Sequence, residues 1–252
     1  MKKLRIGFLL PRYSRHSKSY MPTVVRTLEG AGVHVDVIHP VEHIIDLGAL
    51  RVEHDLYVLR KTSGFALSLA GALHELGAAI INPYQGAGGH HVQIVRNMAE
   101  LAEVRHERRE PVFAQRYHPP DGRDRKIYVI GDAIFAIKKT FPRRTEEEKL
   151  GELFTPSADL CEIVLRCGRA FGVDLYGVDV IESGGKPYVV DMCSIPGFKG
   201  VPDAPRRLAQ HLQRAAAQAA RGDVSPPAVA SSHLLGRESF SRLQRQAQPS
   251  DT

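Results

Sequence analysis

Two aspartates carry the densest chemical signal in this sequence. Asp179 and Asp191 each lie among apolar neighbours in the stretch Leu175-Tyr-Gly-Val-Asp-Val-Ile-Glu-Ser-Gly-Gly-Lys-Pro-Tyr-Val-Val-Asp-Met-Cys-Ser-Ile-Pro-Gly197. β-forming runs flank Gly184-Gly185, so the stretch reads as a hairpin. A carboxylate in a sheet interior is costly unless something pairs with it. Register decides whether the two acids meet. A two-residue Gly184-Gly185 turn sets Ser183 opposite Lys186 and Asp179 opposite Val190, sending Asp191 to the other face. A three-residue loop, Gly184-Gly185-Lys186, or an equivalent bulge, sets Asp179 directly opposite Asp191, with β-carbons roughly 5 Å apart. Glycine suits a three-residue loop with a bulge, and that loop is the expected one. Two bare carboxylates at this separation repel, so magnesium is expected to bridge them. The alternative is a hairpin whose aspartates bind backbone or arginines.

Other groups could join such chemistry. Tyr84-Gln-Gly86-Ala-Gly88-Gly89-His90-His91 is a glycine-rich stretch that reads as a phosphate nest or as a turn. Adjacent histidines in a strand point to opposite faces, so His90-His91 reads as a loop pair rather than a metal site. Cys161, Cys167 and Cys193 are odd in number and form no CxxC pair. That favours a reducing, cytoplasmic setting without a zinc site.

The elements that must position these residues fall into two sets. Residues 3–10, Val33 to Ile38, Asp55 to Leu59 and Ala79 to Asn82 read as buried strands. Helices are expected at 20–31 and at Ser63 to Leu76, stopped by glycines. This βαβ alternation implies a parallel α/β layer over residues 1–84. From 85 to 221 the pattern changes. Pro111 to Arg116 reads as a strand, Lys126 to Ile130 and Ala133 to Lys138 flank a Gly131-Asp132 turn, and Ser157 to Phe171 reads as a helix stopped by Gly172. A last helix spans 204–221. Antiparallel hairpins after a parallel layer imply an α+β second domain. Residues 222–252, rich in Ser, Pro, Gln and Arg, read as a disordered tail.

Composition narrows the function classes. The 252 residues are 43% hydrophobic, enough for a substantial core, and the formal net charge is +6, which suits an acidic ligand. No run of 18 apolar residues suggests a membrane span, and Pro11-Arg12 ends the first apolar run too early for a signal peptide. The basic segments 105–109, 123–126, 138–144 and 206–221 lack interleaved aromatics, which argues against nucleic acid.

The order of these motifs resembles the ATP-grasp superfamily. Gly177-x-Asp179, eleven intervening residues, Asp191 and then Ser194-x-Pro196-Gly197 look like its C-terminal signature. The nearest flavour resembles the ATP-dependent glutamate ligases that modify ribosomal proteins. Pro111-Val-Phe-Ala-Gln115-Arg-Tyr117-His resembles the hinge strand that borders adenine. Asp124 to Asp132 and Ala136-Ile-Lys138-Lys139 resemble the following hairpin, and residues 1–84 resemble the preceding domain. The resemblance implies ATP and Mg2+, held by Gly86, Gly88, Gly89, Gln115, Tyr117, Lys126 and Lys138, with Asp179 and Asp191 as metal ligands. It implies that Lys126 and Lys139 neutralise phosphate charge in catalysis, and that Ser194 and Gly197 lie near the acceptor. The implied reaction is phosphorylation of a carboxylate followed by attack of an amine, giving an amide or peptide bond.

Two features depart from that pattern. Asp191-Met192-Cys193 stands where the family has an acid-x-Asn, and cysteine is a softer ligand than asparagine. The glycine-rich stretch follows Asn82-Pro83 at once, so the small lobe reads as shortened, without the usual lysine-bearing strand. These departures keep two other readings open: a catalytically inactive relative that binds a nucleotide or a protein, and a polyol-phosphate kinase on the same fold. A shortened lobe would also leave sheet edges that a second copy of the chain could cover.

Overall fold

The computed structural model describes residues 3–10, 12–40, 49–60, 64–81, 93–107, 115–140 and 145–223. Strands β1 (Arg5–Leu9), β2 (His34–Ile38), β3 (Leu56–Leu59) and β4 (Ile80–Ile81) form a parallel sheet in the order β2-β1-β3-β4. The near-continuous apolar runs of β1 and β3 follow from burial on both faces, whereas edge strand β2 carries His34 and Asp36. Helix α1 (Met21–Gly30) covers one face, packing Val24, Val25 and Leu28 on Ile6, Phe8 and Val58. Helix α2 (Gly64–Glu75) covers the other, packing Leu69 and Leu73 on Tyr57 and Leu59. The expected α/β layer is therefore observed.

After this layer comes α3 (Met98–Glu107), a helix without a clear apolar stripe, which periodicity alone does not reveal. Between β4 and the next strand, the described residues hold this helix and no strand. Residues 115–120 are irregular, so the described end of the expected 111–116 strand is not one. A second sheet then forms in the order β7-β6-β5-β8-β9 from β5 (Asp124–Ile130), β6 (Ala133–Lys139), β7 (Glu152–Phe154), β8 (Leu175–Ser183) and β9 (Lys186–Ser194). All its pairs are antiparallel. Short helix α4 (Glu146–Leu150) precedes β7 and carries a capping box between Thr145 and Glu148.

Period-two alternation gives this sheet two different faces. Ile127, Val129, Ala136, Val178 and Val180 face helix α5 (Ala158–Phe171), which supplies Leu160 and Val164. Ser157 caps that helix and left-handed Gly172 ends it, as the sequence predicts. Tyr128, Ile130, Ile137 and Leu175 belong to the opposite face. They share a core with Leu208, Ala209 and Leu212 of helix α6 (Ala204–Ala220) and with α1 of the first layer. One apolar core thus runs through both sheets.

Candidate functional site

The hairpin that carries the two aspartates is β8-β9. Asp179 lies opposite Asp191, as expected, but the turn is not the three-residue loop. Ser183 pairs with Lys186 across Gly184-Gly185, and both glycines have positive φ, 58° and 70°. That is a two-residue turn of the kind glycine pairs favour. The register then slips by one between Val180, paired with Val189, and Asp179, paired with Asp191. Val190 is the extra residue of a β-bulge. The bulge brings Asp191 to the face of Asp179; without it, Val190 would stand opposite Asp179.

Lys126 lies opposite Asp179 on the other flank, in β5. Its Nζ donates to Asp179 Oδ2 at 2.9 Å and lies 2.7 Å from Oδ1. The second contact lacks hydrogen-bond geometry, so Oδ1 is sealed from water without a hydrogen-bond partner. Burial pushes the Asp191 carboxyl above the usual aspartate range, and the Asp179 charge pushes the same way. The Met192 amide, donating to Asp191 Oδ1 at 2.8 Å, and the Lys126 charge offset this only in part. A sealed, unpartnered carboxylate oxygen facing a second carboxylate is a donor set that a divalent cation would fit. Among the described residues no group of three or more His, Cys, Asp or Glu side chains is arranged to hold a metal ion. Two carboxylates without a complete protein cage suit magnesium, which typically takes one or two carboxylates plus phosphates and water.

Cys193 continues this face two residues beyond Asp191 and pairs with Gly177. Burial raises its thiol pKa, with Lys126, Asp179 and Asp191 all close enough to act on it. A β-carbon on Gly177 would come within 3.1 Å of Pro196 and 3.3 Å of Tyr128. Glycine there lets the segment after β9 fold back over the sheet. In that segment Ile195 and Phe198 both have positive φ, 38° and 47°, a strained conformation for side-chain-bearing residues.

Lys139 lies on the same face as Lys126 and is 3% exposed. Its Nζ donates to the Tyr128 hydroxyl at 3.3 Å and to the Lys199 carbonyl at 3.5 Å. Lys138 alternates to the other face, over the Phe154 ring at 5.1 Å. The structure thus gathers Asp179, Asp191, Lys126 and Lys139 on one face and leaves Lys138 on the α5 side. Gln115 donates to the carbonyl of bulge residue Val190 at 3.3 Å, while Tyr117 is largely exposed. Ser194, opposite Tyr176, shares the α5 face, and Gly197 is exposed in the returning segment. Gly86, Gly88, Gly89 and His90-His91, the 111–114 part of the hinge segment and residues 224–252 lie outside the described residues.

Three residues near this face carried no sequence signal. Tyr128 occupies the alternation slot beside Lys126. Tyr20 donates to the Pro196 carbonyl at 2.8 Å, and Arg60 donates to the Tyr20 hydroxyl at 3.1 Å. The last two come from the first layer, 176 and 136 residues from Pro196 in sequence, so no local spacing links them to the hairpin.

Comparison with known proteins bears on the fold and the family. The curated "Probable alpha-L-glutamate ligase" of Ectopseudomonas mendocina is 22% identical over 221 residues, 77% of this chain and 70% of that protein. Its counterpart from Shewanella loihica is 29% identical over 89 residues, and the match spans 30% of that protein's length and 33% of this chain. The "Inositol-tetrakisphosphate 1-kinase" of Danio rerio is 22% identical over 224 residues, 75% of this chain and 55% of the relative. Among solved structures, a RimK domain ATP-grasp protein from Sphaerobacter thermophilus superposes with a TM-score of 0.63 at 16% identity, covering 82% of this chain and 98% of that one. The D-alanine–D-alanine ligase of Bacillus anthracis, complexed with ATP, gives 0.57 at 14% identity over 89% of this chain and 100% of its own. These likenesses show the fold. The family model for the RimK-like ATP-grasp domain matches residues 75–213, more than half of the chain, with the whole second sheet, α5 and the first part of α6, and the chain belongs to that family.

Proposed function

We propose that the chain is an ATP-dependent carboxylate–amine ligase, forming an amide or peptide bond through an acyl phosphate. One observation carries the reading: Asp179 and Asp191 face each other beside Lys126 and Lys139 on a single sheet face. Asp179 and Asp191 would hold magnesium, which when bound supplies positive charge to the nucleotide phosphates. Lys126 and Lys139 would offset charge on the transferred phosphoryl group, the main demand of phosphoryl transfer. A substrate carboxylate oxygen would bond to the γ-phosphorus as ADP leaves. An amine would then bond to the acyl carbon as phosphate leaves, losing a proton. Buried Lys139 is poised for such a role because its charge is held away from bulk water, where it acts more strongly. The relatives named as glutamate ligases make a glutamate carboxylate or amine the first substrates to try.

Isothermal titration calorimetry of the purified chain with ATP and magnesium tests the reading. Saturable heat that requires magnesium is expected, and Asp179→Asn and Asp191→Asn should lose the magnesium dependence while remaining folded. No heat at about millimolar ATP would overturn it. A second reading, a relative without turnover, is favoured by Cys193 in the asparagine slot. It predicts that Cys193→Asn tightens nucleotide binding and that no product forms with any amine. The kinase reading draws on the Danio rerio match and predicts phosphorylation of a polyol phosphate without an amine.

A further inference from the structure

The first layer presents an arginine where a parallel sheet ordinarily offers a ligand site. In the order β2-β1-β3-β4, the chain leaves β1 toward one edge and returns past it to β3. The switch point of such a sheet is the crevice beyond the carboxyl ends of the two central strands, and ligands bind there. Arg60 directly follows β3 at that point, and its amide donates to the Leu9 carbonyl at the end of β1.

The Arg60 side chain is held in a fixed pose. Its Nε donates to the Tyr20 hydroxyl at 3.1 Å, and its guanidinium lies 5.0 Å from the Tyr20 ring centroid. Tyr20 is itself anchored to the Pro196 carbonyl at 2.8 Å and edge-on to Phe198 at 6.0 Å. Among the described residues no carboxylate pairs with Arg60, and its two terminal nitrogens meet no acceptor. It borders a small apolar cavity with Phe8, Val58, Leu175 and Ile195. A half-buried guanidinium with an apolar flank and an open fork recognises a planar anion, and a carboxylate matches the fork best. Tyr20 is held to Pro196, which packs over Gly177 two residues before Asp179 in β8, so Arg60 and the aspartate hairpin belong to one neighbourhood.

We infer that Arg60, oriented by Tyr20, forms a carboxylate-binding subsite through which the first layer positions the substrate against the acid-bearing face. This inference rests on the ligase reading for its context, not for its test. L-glutamate and glutarate serve as probes, with glutaramide as the uncharged control, observed by saturation-transfer NMR on the full chain. Saturable binding of both acids and none of glutaramide is expected. Arg60→Gln should weaken the acids at least tenfold. Arg60→Lys, which keeps charge but not the fork, should recover only part of that affinity, and Tyr20→Phe should weaken them severalfold by releasing the arginine. Thermal melts check that each variant is folded, and Arg60→Lys decides the outcome if Arg60→Gln is not. Acids that bind Arg60→Lys and Arg60→Gln as they bind the parent, or that never saturate on the parent, overturn the inference. Calorimetry with magnesium and ATP on the parent and on Arg60→Lys separates the two ideas. Intact ATP binding with indifferent acid binding sinks the subsite alone, and absent ATP binding with arginine-dependent acid binding sinks the ligase reading alone.

Discussion

Replacing Asp191 by asparagine should make the protein more stable without magnesium and ATP, and less stable with them. Asp191 stands opposite Asp179, and cross-strand partners have β-carbons about 5 Å apart. Two unit charges at that separation repel by about 3 kcal/mol at an effective dielectric near 20. Lys126 and partial solvent access screen much of this, leaving about 1 kcal/mol of net cost. The sign agrees with the raised Asp191 pKa: the folded state holds the proton more tightly, so stability falls as pH rises through that window. Asparagine keeps an oxygen for the Met192 amide while removing the charge. In chelator at neutral pH, Asp191→Asn should therefore melt about 2–4 °C above the parent. With magnesium and ATP at about 100 times Kd, the parent should gain about 2.7 kcal/mol and the variant much less, reversing the order. Differential scanning fluorimetry under both conditions measures this. An Asp191→Asn protein that melts below the parent in chelator would refute the reasoning, because the carboxylate would then be a structural acceptor rather than a ligand in waiting.

Three further outcomes follow from the same structure. Burial pushes the Asp36 carboxyl up, but hydrogen bonds from His54 at 2.7 Å and Arg5 at 3.2 Å, with the nearby His34 charge, outweigh it and leave its pKa below the usual range. Its contribution is present above about pH 4 and is lost as pH falls through the lowered value, so acid melts should be steeper for the parent than for Asp36→Asn. Gly168→Ala should cost about 1–3 kcal/mol in denaturant melts, because the new methyl meets the buried Tyr176 ring within 2.7 Å, whereas Gly71→Ala in open space on α2 should stabilise by about 0.5–1 kcal/mol. Magnesium alone should shift the melting temperature little, and magnesium with ATP a great deal, read in one fluorimetry series; a full shift from the metal alone would contradict the shared charge of the site.

Much of the fold was legible because its signals are local. The β1 to β3 runs, the Ser157 cap, Gly172 and the paired glycines of the hairpin each act within a few residues. The facing of Asp179 and Asp191 was legible too, but its cause was misassigned to the loop. A two-residue turn plus a bulge at Val190 shifts the register as much as a three-residue loop does, and no residue type marks a bulge of this kind. Helix α3 was missed because its residues lack a clear apolar face, so no stripe betrays it. Helix α4 had a readable sign in Thr145 and Glu148, three apart, that a search for capping boxes would have found. Tyr20 and Arg60 lay beyond reach, since tertiary packing of one sheet against the segment after β9 brings them to the site.

Charge bears on how the proposed site would select a nucleotide. Asp179 and Asp191 bring two potential negative charges, and Lys126 and Lys139 bring two positive ones on the same face. Asp179 is compensated directly by Lys126, whose charge also offsets in part the burial and the Asp179 charge that raise the Asp191 pKa. On the proposed reading, a bare divalent cation on this face would compete with Lys126 for Asp179 and would meet the charge of two lysines. A cation that arrives with a triphosphate brings surplus negative charge for those same lysines. On that reading Lys126 would exchange Asp179 for a phosphate where magnesium took the carboxylate, so that each group would trade one partner for another and none would be stranded in a half-buried site. If the proposed ligase reading holds, Lys126 would partner Asp179 without nucleotide and a phosphate with it.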